Sequence, residues 1–207
     1  FKYKEESFVN ALQWAIGLEI FLLMDDPWRV VLTTDHPNGG PFTSYPHLIR
    51  LLADKSFRDE QLDKLHPDVL NHTVLKDIKK ELSLYEIAIL TRSAPSKLLG
   101  LSKYGNLRPG SCADVAIYSK NVNFEEMFKK PKLVFKAGEL VCKNGEIVRV
   151  PVGGVHIVKT HYDTNIKKHI SGFYENKIAT SFNNSEIGNE ELQVCANGGK
   201  ILVTLPN

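Results

Sequence analysis

The 207-residue chain carries 26 basic and 24 acidic side chains, and a net charge of +2 is too small to mark a nucleic-acid-binding surface. An apolar share of 43% and a charged share of 24% sit at the globular average, which excludes disorder and collagen-like repetition. No uninterrupted apolar stretch reaches the roughly 18 residues of a membrane helix: the longest, Ala15 to Met24, is broken by Glu19 and stopped by Asp25, Asp26 and Pro27.

The chain begins with Phe1, and no cationic, apolar, small-residue leader precedes the first helix, so the expectation is an excised or proteolytic fragment or the later part of a longer chain. Cys112, Cys142 and Cys195 form no C-x-x-C and are odd in number. They read as reduced thiols in a cytoplasmic protein rather than a disulfide framework.

The segment Ser7 to Met24 reads as a helix, with Val9, Leu12, Ile16, Ile20 and Leu23 spaced at three and four along one face. Trp14, Ala15, Leu18, Phe21 and Leu22 fill most of the remainder, which predicts burial nearly all round. Pro27 ends it, because proline lacks the N–H and clashes with the preceding turn. Arg29 to Thr34 is then a β-branched run without alternation, as in an interior strand of a parallel sheet. Asp35-His36-Pro37-Asn38-Gly39-Gly40-Pro41 follows as a loop.

Short amphipathic helices are expected over 45–52 and 57–65, and a further helix from Tyr85 through Arg92. A second helical turn opens at Ala94, with Pro95 near its first position and Gly100 at its end. After Gly100 the pattern turns to short strands over 114–118, 132–136, 139–143 and 146–150, with Asn144-Gly145 as a tight hairpin turn. In the tail, 164–174 reads as a helix, 181–185 as a polar loop and 200–205 as a last strand. The change of pattern places a boundary near residue 100, with an α/β part before it.

Chemistry concentrates where a strand ends in Asp35 and enters a Gly/Pro loop. In parallel α/β proteins, active sites sit at the carboxyl ends of strands. A carboxylate there can ligate a metal or take a proton from metal-bound water. The same aspartate could instead cap its own turn through a side-chain oxygen. His36 gains interest only from adjacency to Asp35. His47, His66, His72 and His169 lie in polar helical contexts, and His156 and His161 set up no shared site. His-x-His, His-Glu-x-x-His, the dinucleotide and phosphate-loop glycine motifs and Gly-x-Ser-x-Gly are all absent from the sequence. Gly198-Gly199-Lys200 lacks a preceding strand and following helix, and the lysines of 129–136 read as a solvated face.

Three ordered segments carry a resemblance. Leu90-Thr91-Arg92-Ser93-Ala94-Pro95-Ser96-Lys97-Leu98-Leu99-Gly100-Leu101, then Pro109-Gly110-Ser111-Cys112-Ala113-Asp114, then Val141 to Val148 with its Asn-Gly turn, resemble the closing part of the amidohydrolase superfamily. Thr33-Thr34-Asp35-His36-Pro37-Asn38-Gly39-Gly40-Pro41-Phe42-Thr43-Ser44-Tyr45-Pro46, with 10–19, is similar to the A subunits of formylmethanofuran dehydrogenase.

The resemblance implies an α/β fold: the C-terminal portion of a TIM-barrel amidohydrolase plus a small mostly-β domain. Residues 1–100 would be the end of the (β/α)8 barrel including its last strand, 101–160 the small β domain and 161–207 a C-terminal extension. It implies a dinuclear, zinc-type centre whose other ligands lie upstream of this chain. Asp35 would bind metal and shuttle the catalytic proton, while His36 and Asn38 would touch substrate. The implied reaction interconverts formylmethanofuran with formate and methanofuran in one-carbon metabolism. Other dehydrogenase subunits would be partners, one of them carrying a tungsten or molybdenum pterin, with no nucleic acid and no membrane. Two other readings stay open: another metal-dependent amidohydrolase or a formyltransferase/hydrolase complex subunit, and a non-catalytic scaffold.

Overall fold

The computed structural model describes residues 4 and 6–204, so the expectations at Phe1 and Leu205 lie outside the described residues. The described residues divide into two compact units between Arg149 and Val150. The change from helices to strands near residue 100 falls inside the first of them.

The first unit opens with α1 (Phe8–Leu23). Ala11, Ala15, Leu18 and Leu22, at steps of four and three, form its buried face. Most of the stripe singled out in the sequence faces the other way: Val9, Ile16, Ile20 and Leu23 are 43–60% exposed, while Leu12 is partly buried against the core. Burial all round is therefore wrong for α1, because small alanines at 11 and 15 admit the neighbouring segments on one side only. Glu19 is used structurally, its carboxylate accepting the Thr73 hydroxyl at 2.5 Å and the Val74 N–H at 2.6 Å.

A 3-10 turn at Pro27–Arg29 is capped by Asp26, whose carboxylate accepts the Trp28 N–H. The run expected as an interior strand follows, and among the described residues it joins no sheet. Its backbone is extended at Val30, yet the ladder is reduced to one bond, Leu32 N–H to Leu90 C=O at 3.2 Å. The Tyr45 hydroxyl donates to the Leu32 carbonyl at 3.3 Å. A β-branched run prefers extended geometry by itself, but a strand exists only with a neighbour to pair with.

Two helices, α2 (Tyr45–Ala53) and α3 (Lys55–Leu62), meet at Asp54, which caps α3 by accepting the Phe57 N–H. The core gathers Leu18 and Leu22 with Ile49, Leu51, Leu52, Phe57, Leu62, Leu75, Ile87 and Leu90. Arg58 is buried inside it. Next, α4 (Leu84–Ala88) starts at a Ser83/Glu86 capping box and passes through a π-turn at Ile89–Ser93 into α5 (Ala94–Leu98). Gly100, at φ +70°, ends it as expected of a glycine after a helix.

Four strands complete the first unit: β1 (Val115–Ile117), β2 (Leu133–Lys136), β3 (Glu139–Lys143) and β4 (Glu146–Ile147), paired antiparallel in that order. Val115 pairs with Phe135, Val134 with Cys142 and Lys143 with Glu146. Asn144 and Gly145 hold φ of 53° and 81°, as their hairpin turn requires. A helix not foreseen in the sequence, α6 (Phe124–Lys129), lies between β1 and β2. Its Phe124 and Phe128 pack against the helical core, which holds the sheet to the helices.

The second unit contains β5 (Val155–Val158), α7 (Ile166–Lys177), α8 (Asn189–Ala196) and β6 (Ile201–Thr204). The outer strands pair in parallel, Val155 opposite Ile201. The polar stretch 181–185 holds a 3-10 turn at Phe182–Ser185. Among the described residues no helix is long and apolar enough to cross a membrane.

Candidate functional site

Local backbone chemistry shapes the loop after Thr34. Asp35 has φ 49°, a left-handed conformation that costs a non-glycine residue on the order of 1 kcal/mol or more. Two bonds hold it: the Asp35 N–H donates to Thr33 Oγ1 at 3.2 Å, and the Gly39 N–H donates to the Asp35 carbonyl at 2.8 Å. Gly39 is required there, because a Cβ would stand 2.6 Å from the Thr34 carbonyl oxygen.

The capping alternative predicts a hydrogen bond to the Asp35 carboxylate. Among the described residues the turn is closed by the backbone carbonyl, and the carboxylate accepts no hydrogen bond within it. Asp35 instead lines a cleft of about 670 Å³, together with Asn10, Gln13, Trp14, Thr34 and His47. The cleft is walled by α1 on one side and by the start of α2 on the other.

The three residues expected at the site are therefore placed differently. Asp35 lines the cleft, whereas His36 and Asn38 lie exposed on the same loop and do not line it. The His36 ring stacks on Phe42 with centroids 3.9 Å apart and planes at 22°.

Several cleft residues escape a reading of the sequence. Asn10 is only 7% exposed, and its Oδ1 accepts the Lys4 N–H at 3.1 Å. A buried asparagine on the apolar face of a helix is the available signal, since such a side chain needs a partner. His47 reads from the sequence as a surface or capping residue in a polar helical context. Its Nδ1 lies 3.5 Å from Glu125, whose carboxylate is also 3.9 Å from Arg50. Arg50 bonds Asp54 at 3.1 Å and covers the Phe57 ring at 3.8 Å. Nothing in the linear spacing of 47 and 125 announces that pairing; α6 brings it about.

Among the described residues no three His, Cys, Asp or Glu side chains come together to hold a metal ion. The donor set at this cleft is one carboxylate with amides, hydroxyls and a histidine already paired to Glu125, which does not fit a dinuclear centre by itself.

Comparison with known proteins bears on this cleft and its surroundings. The chain is 42% identical over 177 residues to the Fhc A-subunit of the formyltransferase/hydrolase complex of Methylorubrum extorquens, covering 86% of this chain and 32% of that protein. It is 44% identical over 161 residues to protein FwdA of Methanocaldococcus jannaschii, covering 74% of this chain and 28% of the other. The chain thus spans about a third of the length of these relatives. Among solved structures it is similar to the Methylorubrum extorquens formyltransferase/hydrolase complex (FhcABCD) in complex with methylofuran. There the TM-score is 0.84 at 37% identity, covering 100% of this chain and 38% of that one. The model of the amidohydrolase family matches residues 2–149, the span of the helical core, the Asp35 cleft and the four-stranded sheet. The chain belongs to the amidohydrolase family.

Proposed function

We propose that this chain is the closing part of a hydrolytic subunit that interconverts a formylated furan amine, formylmethanofuran or its methylofuran counterpart, with formate and the free amine. The carrying observation is the 42% identity to the Fhc A-subunit over a segment that includes Asp35, an acidic residue on a left-handed loop position that lines a cleft. In this reading 1–100 closes a TIM barrel, 101–160 is the small β domain and 161–207 an extension.

Hydrolysis of a formamide adds water across the carbonyl carbon and breaks the C–N bond, with a proton passing from the water to the leaving nitrogen. Asp35 is suited to carry that proton. Asp35 lines the cleft and its carboxylate accepts no hydrogen bond inside its own turn, so it can accept from water and then donate to the amine. Asn10, Gln13 and Trp14 present amides and an indole to the rest of the substrate. His36 and Asn38 meet it from the exposed crest of the loop. A zinc centre would lower the pKa of bound water. Asp35 would be the ligand this chain contributes, the remainder coming from parts of the polypeptide that the relatives, about three times as long, contain. Companion subunits complete the assembly; in the dehydrogenase reading one of them carries the tungsten or molybdenum pterin.

The test is turnover of formylmethanofuran by the full-length protein. Asp35→Asn should lower the rate by about 10²- to 10⁴-fold with the thermal midpoint unchanged, while wild-type turnover by the variant would overturn the role. Formylated methylofuran as the preferred substrate would place the protein in the formyltransferase/hydrolase class. Absence of hydrolysis with either substrate would leave the scaffold reading.

A further inference from the structure

On the other face of α2 lies a second groove, of about 600 Å³, with its own chemistry. Ser44, His47 and Leu48 line the Asp35 cleft, whereas Tyr45, Pro46 and Ile49 turn to this one, as helical spacing dictates. Its walls are aromatic: Phe42, Tyr45, Tyr118 and Phe128. Tyr118 and Phe128 make a corner, centroids 4.9 Å apart and planes at 58°, and Phe128, partly buried, packs against the helical core. The hydroxyl of Tyr45 is tied to the Leu32 carbonyl, which sets its ring. Phe42, 64% exposed, stands at the rim against His36.

The charged side chains that line this groove are basic, although Glu126 lies beside one of them. Among the described residues its lining contains no acidic side chain and two cations, Arg92 and Lys129. Lys129 has Glu126 at 3.3 Å, an exposed pair that screening makes weak. Arg92 donates one N–H to the carbonyl of its neighbour Thr91 at 3.0 Å, and no carboxylate among the described residues lies in ion-pair range of it. It sits within the π-turn Ile89–Ser93, where the extra residue per turn displaces a side chain from its α-helical direction. A guanidinium offers a planar fork of donors matched to a carboxylate.

We propose that this groove is a binding site for an aromatic carboxylate, separate from the Asp35 cleft. The ring lies against the Tyr118/Phe128 corner and between Tyr45 and Phe42. The carboxylate takes the Arg92 fork, and Lys129 adds a second positive charge. The groove's size suits a small one- or two-ring acid. The site does not depend on the hydrolytic reading above.

The probe is 4-fluorobenzoate, followed by 19F NMR on the full-length protein. Saturable binding with a Kd on the order of 1 mM is expected. Arg92→Gln should weaken it by about tenfold or more and Lys129→Gln by about threefold. The neutral analogue 4-fluorobenzamide should bind about tenfold more weakly. Arg92→Lys, which keeps charge but loses the fork, should fall between wild type and Arg92→Gln, and circular dichroism establishes that each variant is folded. Asp35→Asn should leave the affinity unchanged, so loss of hydrolysis and loss of this site are read separately. No saturation below about 20 mM, equal binding of the amide, or full affinity in Arg92→Gln would each overturn the proposal.

Discussion

Arg58 is fully buried, the only charged side chain so placed among the described residues. Its guanidinium donates to the carbonyls of Leu51 at 2.9 Å, Ile78 at 3.1 Å and Lys80 at 3.0 Å, joining the end of α2 to the segment that leads into α4. Burial pushes its pKa down, while Asp59, Glu81 and Asp54 oppose that shift and favour the charged form. Arg58→Met keeps the aliphatic volume but leaves three carbonyls without donors. The expected loss is about 3–5 kcal/mol in a urea titration; a variant as stable as wild type would show those carbonyls find other donors. A second residue-scale prediction concerns Glu86. Its carboxylate accepts the Ser83 N–H at 2.8 Å, and that bond, more than the Ser83 hydroxyl, holds its pKa below the ordinary carboxylate range. A depressed folded pKa stabilises above the unfolded value and loses that contribution as pH falls through the folded one. Glu86→Gln should therefore cost up to about 1 kcal/mol near neutrality, with the gap to wild type closing below roughly pH 4. A gap that persists at low pH would mean the carboxylate's charge is not the source.

At the scale of elements, α1 separates pattern from outcome. Its helical extent is plain from the sequence, but which stripe is buried is not. Two apolar stripes compete on one helix, and the partners that choose between them come from residues 45–90, far away in the chain. Leu22→Ala should cost about 2–5 kcal/mol and Ile20→Ala less than about 1 kcal/mol by denaturant titration. Equal costs would mean that both stripes are covered. The turn and first strand of the hairpin β3–β4 are legible residue for residue, because Asn144-Gly145 acts through backbone conformations that neighbours along the chain alone decide, whereas the second strand, expected over 146–150, ends at Ile147. The run Arg29 to Thr34 shows the opposite case: local preference makes it extended, and only paired neighbours make an extended run a strand. The helix α6 escapes notice because six residues are too few for a period to show, although Asn123 caps it through the Glu125 and Glu126 N–H groups.

At the scale of the molecule, the division at Arg149–Val150 falls in a stretch of exposed residues, with Val150 83% and Val152 67% exposed. Brief proteinase K treatment should nick within residues 149–154 and leave a fragment ending there that keeps its own cooperative thermal transition. First cleavage near residue 100, where helices yield to strands, would instead separate the helical core from the four-stranded sheet. That second outcome is disfavoured by Phe124 and Phe128, which pack α6 against the helical core.

What the chain order alone determined was the helical character of Phe8–Leu23, Tyr45–Ala53 and Ile166–Lys177, and the turn chemistry at Gly100 and Asn144-Gly145. All of these follow from backbone preferences within a few residues. Which face of α1 is buried, which side chains share a cleft with Asp35, and the pairing of His47 with Glu125 were decided only by tertiary packing. They depend on segments tens of residues apart meeting in space, and hydrophobic burial, being non-directional, leaves no mark of that choice in the order of residues.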